Sequence, residues 1–227
     1  MLVEVRPRIA IGAVVRNAIV FNPRYWGDSL VSTDTLLQAV ERLFALLYVR
    51  RIDYVLVGGI ALLQYVEGRN TEDIDLIISL PSLSRLPEIS LESQDANFAR
   101  GRFEGLQIDF LLTRNRLFDA VHKRFATSLR FVEREIPCAT VEGLLLLKLY
   151  ALPSLYRQGN FARVGLYESD IALLIQAYRP VMMPLFGELE KHLLESDLES
   201  VRQIVAEIEQ RIARFDAGRR TRAGKHD

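Results

Sequence analysis

The segment from Tyr54 to Leu80 constrains the fold more than any other. Tyr54–Val57 is a short apolar run of strand-forming residues ending in Gly58-Gly59, the pattern of a strand that runs into a tight turn. Ile60–Val66 suits a short helix, and Gly68-Arg69-Asn70-Thr71 reads as a polar loop. A second strand is expected from Ile74 to Leu80, halted at Pro81. Asp73 and Asp75 sit at its start, and alternation along a strand projects both carboxylates from one face.

Two carboxylates on one face repel. Unit charges about 4 Å apart at an effective dielectric near 20 would cost about 4 kcal/mol, so the pair needs solvent or a shared cation. Asp109 poses a related problem. It interrupts the apolar run Leu106–Leu112, which is expected to be a third core strand. A carboxylate there needs a partner to offset its desolvation, either an arginine or a cation. If that strand lies beside the one carrying Asp73 and Asp75, three carboxylates converge. Magnesium suits such all-oxygen ligands and retains places for water and substrate phosphates. Two such ions would activate an attacking hydroxyl and stabilise a leaving pyrophosphate. Gly58 and Gly59, lacking side chains, would let a triphosphate approach the backbone where the N–H groups opening the next helix favour anions. Each feature has a plainer meaning alone: a turn, a solvated strand edge, a core aspartate paired with an arginine.

Elsewhere the pattern predicts short β-like runs at Leu2–Val5, Ile9–Val15 and Ala18–Phe21. A helix capped by Ser32 or Thr33 should carry Leu36, Leu37, Val40, Leu43, Phe44 and Leu47 on one face. Residues 82–102 read as loop plus a short helix, Phe118–Phe125 as a helix and Ser128–Val132 as a strand. After Pro137 the character changes to helices over Val141–Leu152, Tyr167–Tyr178, Leu185–Leu194 and Leu198–Phe215. The expected fold is α/β (α+β): a mixed β-sheet core flanked by helices over residues 1–137, then a helical bundle over 138–215. Residues 216–227, with Arg219, Arg220, Arg222 and Lys225, read as a disordered basic tail.

Composition narrows the function classes. The 29 basic and 29 acidic residues among 227 cancel, so any nucleic-acid contact must come from a local patch. Cys138 is the single cysteine, so no internal disulfide forms; with no apparent signal peptide, a cytoplasmic location is expected. Cys138 has no histidine near it in sequence and reads as a small buried hydrophobe. His122, His192 and His226 are scattered, without zinc spacing. No apolar run reaches the roughly 18 to 20 residues of a membrane span.

The order Val57-Gly58-Gly59, spacer, Asp73-Ile74-Asp75-Leu76, then Ile108-Asp109-Phe110 resembles the DNA polymerase β-like nucleotidyltransferase superfamily. More narrowly, Val57–Leu62 and Arg69-x-Thr71-x-Asp73-Ile74-Asp75-Leu76 look like the AbiEii/MenT group, nucleotidyltransferase toxins of bacterial toxin–antitoxin systems. The block Val141-Glu142-Gly143-Leu144 leading into Leu147-Lys148-Leu149-Tyr150-Ala151 is similar to that group too. The resemblance spans residues 36–178 and implies a nucleotidyltransferase fold. It implies an Mg²⁺-dependent transfer of a nucleotide from an NTP to an acceptor hydroxyl, with Asp73, Asp75 and Asp109 as metal ligands. It gives Lys148 to the nucleotide phosphates and Asp170 to a downstream acidic motif, where Glu168 departs from the Lys-Asp pattern often found before that aspartate. From the residues alone, Lys148 could be snorkelling from an apolar helix face and Asp170 could be a helix N-terminal charge. Arg69 would salt-bridge an aspartate or touch nucleotide, and Arg157 and Arg163 could face triphosphate or acceptor. The acceptor implied is a tRNA 3′ end, or a protein hydroxyl, with a cognate antitoxin as partner. Modification of a small molecule such as an antibiotic, and a catalytically idle nucleotide-binding module, are the competing readings.

Overall fold

A computed structural model describes residues 8–21, 33–67 and 71–223, in two compact units, Met1–Thr140 and Val141–Asp227. In the first, helix α1 (Ile11–Val20) and helix α2 (Thr33–Val49) pack together. Strand β1 (Tyr54–Val57) is buried at every residue and runs into the short helix α3 (Gly58–Leu63). Strand β2 (Ile74–Ile78) follows, then the single turn α4 (Leu80–Leu83), whose N-cap Ser79 accepts from the Ser82 amide. Strands β3 (Ser90–Gln94), β4 (Phe98–Phe103) and β5 (Leu106–Leu112) form a meander. Helix α5 (Arg116–Arg124), capped by Asn115, precedes the hairpin of β6 (Ala126–Arg130) and β7 (Glu135–Ala139).

The seven strands form one mixed sheet, ordered β3-β4-β5-β2-β1-β7-β6. β2 is antiparallel to β1 and parallel to β5, so the two carboxylate-bearing strands are neighbours pointing the same way. α2 and α5 pack on the sheet. The core includes Leu36, Val40, Leu43, Phe44, Leu56, Leu76, Ile108 and Phe110, all with 1% or less of their surface exposed. Burial on this scale is the main favourable term in holding the layers together.

The second unit is helical among the described residues: α6 (Val141–Arg157), α7 (Phe161–Tyr178), α8 (Met182–Leu189) and α9 (Glu195–Ala223). They pack against one another, and Leu145, Leu149, Leu174, Leu189, Val201 and Val205 are buried. No helix among the described residues is long and apolar enough to cross a membrane.

Four sequence expectations change. The β-like runs at Ile9–Val15 and Ala18–Phe21 are one helix, α1, because Ile11, Val15 and Ala18 recur at helical spacing and are buried together. Residues 82–102, expected as loop plus a short helix, hold the end of α4, then β3 and most of β4. Pro137, read as ending the α/β layer, lies within β7. The tail from residue 216 is not disordered throughout, since α9 continues to Ala223. Leu2–Val5 and Ser32 lie outside the described residues.

Candidate active site

The register of the sheet assembles the site. Asp75 on β2 stands directly beside Asp109 on β5, which in turn stands opposite Arg100 on β4. On the other side of β2, Asp75 pairs with Val57, the last residue of β1 before the glycine turn. One row across four strands therefore reads Arg100, Asp109, Asp75, Val57, with Asp73 at the approach to β2. Along β5 burial alternates strictly: Leu106, Ile108, Phe110 and Leu112 point into the core, and Asp109 lies on the half-buried face. That alternation reduces the desolvation that the apolar run had suggested.

The glycine turn is shaped around Asp75. Gly58 has φ +66°, a left-handed conformation that side chains disfavour. A β-carbon added there would lie 2.7 Å from Asp75 Cβ and closer still to its carboxylate. A β-carbon on Gly59 would lie 2.7 Å from Thr71 Oγ1. The two glycines therefore make room first for the protein's own Asp75 and Thr71. α3 has only six residues, so any anion binding at this turn would depend on individual N–H groups more than on a macrodipole.

Asp109 has a protein partner. Arg100 Nε donates to Oδ1 and Nη2 to Oδ2, each at 2.7 Å, a bidentate fork. These hydrogen bonds raise the pKa of Arg100; the nearby charges of Asp109, Asp73 and Glu92 act in the same direction. Arg100 was not singled out from the sequence, because its strand was not recognised. The alternation of Phe98-Ala99-Arg100-Gly101-Arg102-Phe103 was the available signal, with Ala99, Gly101 and Phe103 buried.

The donor chemistry suits magnesium, because carboxylates at positions 73, 75 and 109 supply hard oxygen ligands at one edge of a glycine turn. The side chains as placed are not gathered as a ligand set. Among the described residues no group of three histidine, cysteine or acidic side chains is arranged to hold an ion.

The remaining expected residues are described in their own surroundings. Arg69 lies outside the described residues. Lys148 and Asp170 belong to the second unit and pair with each other, Nζ to Oδ2 at 2.7 Å, 5% and 2% exposed. The Lys148 ammonium also sits 4.5 Å from the centre of the Tyr167 ring. Because α7 starts at Phe161, Asp170 is in mid-helix and faces inward; it is not an N-terminal charge. Arg157 is exposed and bonds Asp197 at 2.7 Å; Arg163 is exposed on α7. Glu168 accepts a hydrogen bond from Tyr156, which pushes the phenol up to about 12. Cys138 is buried, and desolvation lifts its thiol to about 12, as suits a packing residue.

No family model matches the chain, and no curated protein sequence matches it. Among solved structures, the chain is similar to an antigenic nucleotidyltransferase-like protein from Paracoccidioides brasiliensis. The TM-score is 0.53 at 20% identity, covering 83% of this chain and 94% of that one. A solution structure of the antibiotic-resistance factor ANT(2″)-Ia gives 0.48 at 12% identity, over 85% of this chain and 100% of that one. Its crystal structure with adenylyl-2″-tobramycin gives 0.47 at 12%, over 79% and 99%. The first of these likenesses establishes a nucleotidyltransferase-like fold.

Proposed function

We propose that the protein is a magnesium-dependent nucleotidyltransferase. The observation that carries this reading is the register of Asp75 beside Asp109 on parallel strands, with a glycine turn shaped to admit the Asp75 carboxylate.

Asp73 and Asp75 would hold the metal, with Asp109 as the further carboxylate. When bound, the metal supplies charge neutralisation for the triphosphate and for the departing pyrophosphate. The reaction is an in-line displacement. The acceptor hydroxyl oxygen forms a bond to the α-phosphorus, and the bond from that phosphorus to the bridging oxygen of pyrophosphate breaks. Asp109 is the residue to receive the hydroxyl proton, and Gly58 keeps the approach beside Asp75 clear of side chains.

The acceptor we favour is the 3′ end of a tRNA, with the protein acting as the toxin of a toxin–antitoxin pair in the cytoplasm. Support comes from the AbiEii/MenT-like order of Val57–Leu62, Thr71–Leu76 and the block around Lys148. The test is incubation with Mg²⁺ and each labelled NTP, adding total tRNA, protein extract or aminoglycosides in turn. Labelled tRNA supports the reading; label on protein or on an aminoglycoside moves the acceptor to those classes. Absence of any Mg²⁺-dependent label, or equal labelling by Asp75→Asn, leaves a nucleotide-binding module and overturns the transferase. Growth arrest on expression, lost in Asp75→Asn, tests the toxin role.

A further inference from the structure

Both oxygens of Asp109 are engaged by one guanidinium, and that guanidinium comes from β4, outside the Gly-Gly and Asp-x-Asp pattern. The pair is not deeply buried: the Arg100 side chain is 44% exposed and that of Asp109 18%. Its partial exposure leaves a path for the arginine to swing away from the sheet. Arg100 also feels the charges of Asp73 and Glu92. A carboxylate whose two oxygens accept a fork has its best lone pairs occupied. A divalent cation drawn to the same oxygens meets a fixed positive charge at short range.

We propose that Arg100 is the built-in counter-ion of the carboxylate site, holding Asp109 until a divalent cation displaces it. This inference rests on the metal-binding part of the proposed function. The arginine supplies a positive charge to Asp109 where it stands in register beside Asp75. Displacement makes metal binding and release of Arg100 one coupled event. The released guanidinium remains tethered beside the site, in the form best suited to grip phosphate oxygens. Arg100 is thus a positioning residue, acting through Asp109.

The experiment is calorimetric titration of Mn²⁺, without nucleotide, into the full chain and its Arg100→Gln, Arg100→Lys and Arg100→Gln/Asp109→Asn variants. Circular dichroism checks the fold of each. Arg100→Gln should bind Mn²⁺ on the order of tenfold more tightly than wild type, since a half-exposed fork and one adjacent charge are removed. Arg100→Lys, which keeps the charge but loses the fork, should fall between them. Adding Asp109→Asn should abolish the gain. Equal or weaker binding by a folded Arg100→Gln overturns the inference while leaving the metal site standing. If that variant does not fold, equal binding by Arg100→Lys and wild type overturns it. Absence of Mn²⁺ binding in wild type and variants alike overturns both the inference and the metal-dependent transferase.

Discussion

Asp75 packs its carboxylate into the space that a side chain on Gly58 would occupy. The first residue of the glycine turn is thus fixed twice, by its left-handed backbone and by its neighbour's carboxylate. Gly58→Ala should lower unfolding free energy by about 2–4 kcal/mol, combining backbone strain with overlap. In an Asp75→Gly background the overlap is relieved and about 1–2 kcal/mol of backbone strain should remain. Urea melts of the four proteins check this; equal losses in both backgrounds would refute the contact.

Asp75→Asn tests whether the site was built for stability or for chemistry. Placing an amide beside Asp109 removes a like-charge pair in register. Without metal, stability should stay within about 1 kcal/mol of wild type. Nucleotide transfer should fall by about 10²–10³-fold or more, as when a positioned charge is lost from a reacting centre. A large loss of stability with proportionate activity would make Asp75 a packing residue.

Lys148 and Asp170 form the most deeply buried ion pair described, and removing one partner takes a buried charge-assisted bond from the other. Lys148→Met should destabilise the protein by about 3–5 kcal/mol, measured by urea unfolding. Lys148→Met/Asp170→Leu should recover at least half of that, because neither charge remains to be buried. Failure of the double variant to recover would show that Asp170 serves its surroundings independently of the lysine.

Alkaline pH should loosen the first unit. Burial raises Cys138 from 9.0 and Tyr54 from 10.0 to about 12 each. The folded state therefore keeps protons that the unfolded chain gives up. Stability from these groups is fully present below about pH 9 and falls as pH rises towards 12. The urea midpoint should decline over that window, and iodoacetamide at pH 8 should label Cys138 only after denaturation.

The parts of the site that share a face by simple alternation were legible in the sequence. Tyr54–Val57, Asp75 and Asp109 fall on the expected strands, Gly58-Gly59 opens α3, Asp73 immediately precedes β2, and β2 does lie beside β5. Arg100 is hard to see because the buried face of β4 is largely small, Ala99 and Gly101, and its neighbour β3 has no buried face. Every residue of Ser90–Gln94 is exposed, so no apolar face betrays an edge strand whose stabilisation comes from pairing. Pro137 conceals β7 for a different reason: proline is uncommon within strands, yet β7 lies between β1 and β6, with Pro137 opposite Ser128 of the edge strand. Helix α1 was misread from the β-branched content of Ile9–Val15, where burial of one helical face outweighs intrinsic preference. The resemblance gives Lys148 to the nucleotide phosphates and Asp170 to an acidic motif; that the two pair with each other depends on how α6 and α7 pack, which spacing along the chain does not encode.

The most direct measurement compares ATP, GTP, CTP and UTP carrying label at the α-phosphate with the same nucleotides labelled at the γ-phosphate. Each is incubated with wild type or Asp75→Asn, Mg²⁺ and the acceptor pool. The account predicts that label from the α-position becomes attached to an acceptor, that label from the γ-position leaves as pyrophosphate, and that both events vanish in Asp75→Asn. Transfer of γ-label to an acceptor, or α-label attachment undiminished in Asp75→Asn, would contradict it.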